Sequence, residues 1–255
     1  METIAVILFG LVWGSFLNVV IYRLPRGKSL ALPPSHCPRC SRPIKFYDNI
    51  PVLSYLLLKG RCRYCRTRIP ITYFLVELLT PLALILLHIR LGLDLHFFAS
   101  GVFTSALIVL AFIDYYHQLL PDAVTLPTLL LSLGYSFFRP DLSILQALLG
   151  AGVGAGFLLL VYGVYYMLRK KEGMGLGDVT MMLMIGAFLG WKLAFFTLIL
   201  ASLVGALAGM LFILFRKKDL QYALPFGTFL APGAYIALIW GQQIIDAYLR
   251  MFQTP

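Results

Sequence analysis

The chain has 255 residues, of which 60% are hydrophobic and only 13% charged, about half the charged share of a soluble domain, and its mean hydropathy is +0.86. That composition excludes a water-soluble globular protein, whose surface would need far more polar residues. The formal net charge of +10 would suggest nucleic acid in a soluble protein, but in a chain this apolar it reads as the basic face of a membrane protein.

Eight apolar segments approach the ~20 residues that cross a bilayer as a helix: roughly 3–21, 71–89, 96–114, 123–138, 144–168, 178–190, 192–215 and 225–246. The expected fold is an all-α polytopic membrane protein with about eight transmembrane helices. The opening "METIAVILFG" has no basic n-region and no small-residue cleavage site, so it reads as a retained helix. Three parts are expected: a first transmembrane helix (1–21), a cytoplasmic four-cysteine loop (22–70) and a transmembrane region of about seven helices (71–255).

The 22–70 segment is polar and rich in proline, and carries eleven Lys or Arg. Two further basic clusters are Arg169-Lys170-Lys171 and Arg216-Lys217-Lys218. With eight spans, all three fall on one side of the membrane, which then holds 17 of the 21 basic residues. The positive-inside rule makes that side cytoplasmic and puts both termini outside.

Within the loop, "CPRC" (37–40) and "CRYC" (62–65) are two C-x-x-C pairs 21 residues apart. Cys37, Cys40, Cys62 and Cys65 are expected to close a structural zinc site, because four thiolates satisfy a tetrahedral ion and leave no open position for chemistry. The loop is too small for an apolar core of its own, and a metal would supply the missing folding energy. The alternatives are two disulfides, which a reducing compartment disfavours, or a redox pair, which usually accompanies a βαβ pattern absent here.

The chain has eleven Asp and Glu, and seven of them lie in loops or near span ends. Glu77, Asp114, Asp122 and Asp178 remain. Asp114 closes the third span and Asp178 opens the sixth, so the topology brings both to the cytoplasmic side at one depth. Ionisable groups at that depth are functional candidates by default. Two close carboxylates cannot both ionise readily and so share a proton. The ionised member activates water while the protonated one polarises a peptide carbonyl, which is aspartic-protease chemistry. Asp178 is preceded by Gly173, Gly175 and Gly177 in "GMGLGD". Glycine there is expected to allow positive φ and to let an extended substrate backbone approach. The bland alternative is that Asp178 only N-caps its helix.

Asp122, after Pro121, is expected to N-cap the fourth span, and His117 to be a loop residue. Glu77, about two turns into the second span, is either an interior hydrogen-bond partner or a ligand contact. The run "GAGVGAG" (150–156) is expected to bring helices close together; the sharper alternative is a groove for a guest peptide.

Taken together, these segments resemble the type IV prepilin peptidases, of the GxGD class of intramembrane aspartic proteases. The resemblance rests on "GSFLNVVIYRLP" (14–25), the two C-x-x-C pairs, "FIDYYHQLLPD" (112–122) and "GLGD" (175–178), in order along nearly the whole chain. It implies Asp114 and Asp178 as the catalytic pair. It implies as substrate a type IV prepilin or type II secretion pseudopilin, cleaved after a glycine at the cytoplasmic face of the bacterial inner membrane. It also implies N-methylation of the new N-terminus with S-adenosylmethionine. Membrane lipid is the other expected partner, and nucleic acid is not one. The rival readings are a proton- or cation-coupled transporter using Asp114 and Asp178, and a membrane scaffold whose zinc knuckle binds a cytoplasmic partner.

Overall fold

The computed structural model describes residues 1–170, 175–216 and 225–253. Gly173, Lys171, Lys217 and Lys218, to which the sequence reading gave roles, lie outside the described residues. The helices are α1 (Glu2–Arg23), α2 (Leu53–Leu57), α3 (Ile71–Leu91), α4 (Leu95–His117), α5 (Asp122–Tyr135), α6 (Ile144–Arg169), α7 (Leu176–Leu189), α8 (Trp191–Arg216) and α9 (Gly227–Gln253). Among the described residues, β-structure is limited to two isolated bridges, His36–Pro43 and Arg61–Arg68.

A helix stands at each of the eight apolar segments. Five of them, α1, α3, α4, α6 and α8, are long and apolar enough to cross a membrane. The chain is thus an all-helical, multi-pass membrane protein. By the same measures α5, α7 and α9 do not qualify. The first two have 14 residues each, a rise of about 21 Å against a hydrocarbon core of about 30 Å. Helix α9 is long enough, but its last part carries Gln242, Gln243, Asp246 and Arg250.

The chain folds as two compact units, residues 1–101 and 102–255. In the first, α1 lies directly against α3. A Cβ added at Gly10 would stand 2.7 Å from Pro81 Cα, and one at Gly14 would stand 3.0 Å from Glu77 Cα. This is the close approach that a small-xxx-small pair permits. The Asn18 amide, buried in that seam, donates to the Tyr73 carbonyl at 3.0 Å. Beyond α1 the Arg23 guanidinium donates to the carbonyls of Ser29 at 2.9 Å and Pro33 at 2.5 Å, folding the start of the loop around the helix end.

Val52, of the loop, is a strained β-branched residue. Val52 has φ 63 and ψ −52, a region that costs a β-branched residue roughly 1–3 kcal/mol. It sits in a tight turn closed by the Leu53 amide on the Pro51 carbonyl at 2.6 Å. The Glu77 carboxylate accepts the Val52 N–H at 2.7 Å, a short charge-assisted bond that offsets the strain.

In the second unit α7 is the central helix. Ten of its residues are buried, with Met181, Met182, Met184 and Ile185 fully enclosed. A helix apolar all round and walled by protein need not match the bilayer in length. Its nearest neighbour is α6. A Cβ at Gly150 would lie 2.8 Å from the Gly190 backbone, and one at Gly154 would lie 2.8 Å from Met182. Gly150 and Gly154 therefore serve close helix packing, as expected, and α7 occupies the place where a guest groove would be. Phe103 of α4 stacks on Phe188 of α7 with centroids 4.3 Å apart. Arg139 donates to the Phe188 carbonyl at 2.7 Å, closing the far end of α7.

Candidate active site

Asp114 lies in the last turn of α4 and is 5% exposed; Asp178 lies in the first turn of α7 and is 7% exposed. Helix α9 begins between them. The Gly227 amide faces both carboxyls, and the charge of Asp114 acts on Asp178. The Thr228 amide donates to Asp114 Oδ2 at 2.8 Å, and its hydroxyl lies 3.2 Å from the same oxygen. That hydroxyl is also 3.3 Å from the Ala111 carbonyl, so its single proton serves one acceptor at a time. The amides opening α9 have no partner within their own helix, and they carry the positive end of its dipole. A carboxylate pair is a natural occupant of that position.

Leu120 holds the three helices at this point. A Cβ at Gly177 would stand 2.9 Å from Leu120 Cβ, and one at Gly227 would stand 3.0 Å from both Leu120 methyls and 3.0 Å from Asp114 Oδ2. Gly177 is thus required by close packing, not by positive φ. Gly175, with φ −74 and ψ 142, does not use positive φ either. A Cβ there would meet nothing nearer than the Gly177 nitrogen at 3.9 Å and Asp178 Oδ2 at 4.0 Å. The ground beside Asp178 is open. Nor is Asp178 the N-cap: the cap residue is Gly175, and the Asp178 amide donates back to the Gly175 carbonyl at 3.2 Å.

The four cysteines form the second candidate site. Their sulfurs all lie within 4.8 Å of one another, and Cys37 and Cys65 are 3.7 Å apart. Sulfurs about 2.3 Å from a tetrahedral zinc are about 3.8 Å from each other. The two halves of the cage repeat one local fold. The Cys37 amide donates to the Arg42 carbonyl at 3.0 Å, and the Cys62 amide to the Thr67 carbonyl at 2.9 Å. Ser41 and Arg66, each directly after the second cysteine of its pair, have φ 55 and 56. Within these two halves, beyond the cysteines, only Ile44 and Ile69 recur in register, so the sequence barely shows this repeat.

Burial would raise the Cys37 thiol, but the amides of Cys40 and Arg39 and the thiols of Cys40 and Cys65 outweigh it and lower its pKa to about 6. At Cys65 the Thr67 amide favours thiolate, yet burial and the thiols of Cys37, Cys62 and Cys40 drive it up to about 11. The opposed shifts have one origin: four adjacent sulfurs accept several negative charges only around a cation. The donor set and spacing fit zinc.

Residues 101–210 match the model of the type IV leader peptidase family, and residues 8–91 that of the bacterial peptidase A24 N-terminal domain. A prepilin leader peptidase/N-methyltransferase of Pseudomonas putida is 37% identical over 271 residues, covering 98% of this chain and 94% of that protein. The chain belongs to the type IV leader peptidase family. Two relatives with the same name, from Aeromonas salmonicida and Myxococcus xanthus, are 39% and 41% identical. The first alignment covers 96% of this chain and 92% of the relative, the second 82% and 63%. No solved structure matches at a significant level.

The other acidic candidates of this family member separate by position. Asp122 is exposed and is the first residue of α5, with Pro121 as the N-cap, so the expected capping role is corrected. Its carboxylate, 3.5 Å from the Thr125 hydroxyl, sits where the helix dipole favours negative charge. His117 is exposed and is the last residue of α4, not a loop residue. Glu77 is the interior hydrogen-bond partner of the two options, through Val52. Sequence reasoning missed Gly227 and Thr228. The signal was "PFGT" (225–228), a proline two residues before a small pair that opens a helix, read only as the start of an apolar span.

Proposed function

We propose that this chain is a prepilin peptidase that removes the leader from type IV prepilins or type II secretion pseudopilins, with Asp114 and Asp178 as one catalytic unit. The cut follows a glycine at the cytoplasmic face of the inner membrane, and the chain then N-methylates the new N-terminus using S-adenosylmethionine. In this reading the chain crosses the membrane eight times, residues 1–21, 22–70 and 71–255 are its three functional parts, and zinc sits among the four cysteines as a structural ion. The observation that carries the proposal is that two buried carboxyls from distant helices face one backbone amide, that of Gly227.

The chemistry follows from a single proton held between two carboxyls. The ionised carboxylate takes a proton from water as the water oxygen attacks the scissile carbonyl carbon. The protonated partner donates to the carbonyl oxygen, giving a neutral tetrahedral diol. The diol collapses when a proton passes to the leaving amide nitrogen. Thr228 keeps Asp114 from swinging, and the open ground by Gly175 leaves room for an extended backbone. A prepilin presents a cationic leader followed by an apolar helix. Its cleavage point therefore lies at the interface, the depth expected for both acids.

The test is cleavage of a purified prepilin by Asp114→Asn and Asp178→Asn, each checked for helix content and thermal unfolding. Both variants are expected to be folded and inactive. A folded variant that still turns over prepilin refutes the role of the replaced carboxyl. The methylation half is read separately, by mass spectrometry of the N-terminus of a pre-cleaved pilin incubated with S-adenosylmethionine; an unchanged mass refutes that half alone.

A further inference from the structure

Helix α2 is too short to be a span and is not part of the cysteine cage, yet it presents a one-sided apolar face. Leu53, Leu56 and Leu57 are 49%, 56% and 72% exposed. Their i, i+3, i+4 spacing puts them on one side. Ser54 and Tyr55 point the other way and are held by protein. Ser54 is buried and bonds the Tyr47 carbonyl and the Ile50 amide, each at 3.0 Å. Tyr55 packs on Phe74 with ring centroids 5.4 Å apart. Phe46, in the preceding turn, is 85% exposed.

Two anchors on α3 set the depth of this face. Phe74 lies three residues into α3, a rise of about 4.5 Å, and Glu77 six residues in, about 9 Å. The first receives Tyr55, and the second accepts the amide of Val52, the residue just before α2. Helix α3 is one of the five apolar spans. A helix tied to its first two turns therefore does not stand off in the cytoplasm. It lies where headgroups meet acyl chains, the depth at which interfacial helices bury their apolar side.

The surrounding charge is complementary to that location. Residues 22–70 hold eleven Lys and Arg against one acid, Asp48. Asp48 is taken up by the Arg63 guanidinium at 2.5 Å. Lys45, Lys59, Arg61, Arg66 and Arg68 are exposed, with Lys45 beside Phe46 and Lys59 two residues after Leu57. A cationic peptide would be repelled from such a surface, whereas anionic headgroup phosphates would be attracted.

We propose that Leu53, Leu56, Leu57 and Phe46 insert into the bilayer that holds the chain, and that the flanking cations bind anionic phospholipid headgroups. The cysteine cage is thereby docked on the membrane as a fixed module, with Glu77 as a positioning residue for the docking helix. This inference does not depend on the peptidase reading.

The experiment uses the full chain in phosphatidylglycerol-containing nanodiscs. Leu57→Trp adds a fluorophore, and the signal of the native tryptophans is subtracted using the parent protein. Lipids brominated near the headgroup end of the acyl chains are expected to quench the added signal at least twofold, with aqueous iodide nearly without effect. Quenching by iodide and not by bromolipid places the face in water and overturns the proposal. Resistance to both quenchers means that protein covers it, a bound substrate or a second copy, and overturns it equally. Replacing phosphatidylglycerol by phosphatidylcholine is expected to reduce lipid quenching; equal quenching refutes the headgroup half. Phe46→Trp repeats the measurement should Leu57→Trp fail to fold.

Discussion

Replacing Gly227 by alanine is the smallest change expected to move the acidic pair. The new methyl would stand 3.0 Å from Asp114 Oδ2 and from both Leu120 methyls, while ordinary contact begins at 3.4 Å. Something must yield by about 0.4 Å. Leu120 can swing its side-chain end. The Asp114 carboxyl cannot do so without stretching its 2.8 Å bond from the Thr228 amide. A 1 Å misplacement of a catalytic group costs roughly 100-fold. A roughly tenfold fall in kcat is therefore expected, about 1.4 kcal/mol in the barrier, with little change in KM. The assay is single-turnover cleavage of a synthetic prepilin segment by the full chain in nanodiscs, alongside thermal unfolding. Gly175→Ala is the comparator. Its Cβ meets nothing within 3.9 Å, so the free protein is unstrained and any effect arises only when substrate is bound, as a raised KM. Wild-type kcat in a folded Gly227→Ala variant would refute the reasoning, as would equal kcat losses in both variants.

Three further outcomes are expected. Cys37→Ser or Cys62→Ser lowers bound zinc, measured by elemental analysis of the purified chain, and impairs methylation more than cleavage; a full zinc complement in both variants would remove the metal from the account. Gly186→Ala forces its methyl to within 2.8 Å of the Ala151 nitrogen and destabilises the α6–α7 contact by about 1–3 kcal/mol. Gly152→Ala, with nothing within 4 Å, leaves the unfolding temperature unchanged or higher. The Arg63 guanidinium, by its hydrogen bonds, holds the Asp48 carboxyl below the usual carboxylate range. Its stabilisation is present above the unfolded pKa of about 3.9 and is lost as pH falls through the lower folded value. Hydrogen exchange over residues 45–65 is therefore expected to separate the native chain from Asp48→Asn at about pH 6, with the difference lost as pH falls through the lowered Asp48 value.

Much of this protein is legible in its sequence because membrane helices advertise themselves. Apolar length located every long helix, and the basic clusters led to the expectation that Asp114 and Asp178 share a depth. Both carboxyls face the Gly227 amide. The four cysteines were equally readable, since metal spacing is a local pattern and their sulfurs do cluster. What the sequence hid depends on tertiary contact. Gly177 is glycine because Leu120 lies against it, and no local rule reports a residue 57 positions away. Thr228 reaches Asp114 across 114 positions, and its hydroxyl looked like any polar residue opening a span. Helix α7 is short because protein and not lipid surrounds it, which hydropathy cannot distinguish from a weak span. Glu77 resisted assignment because its partner is the backbone of a strained loop residue, which only the folded chain reveals.

The account stands on Asp114 and Asp178 working as one unit, and a double-substitution cycle measures that most directly. Single-turnover prepilin cleavage is followed at high enzyme concentration for Asp114→Asn, Asp178→Asn and the double variant. Groups that share one proton fail together, so each single change is expected to remove nearly all activity and the double change to remove no more. Losses that multiply, or a single variant with near-native cleavage, would contradict it.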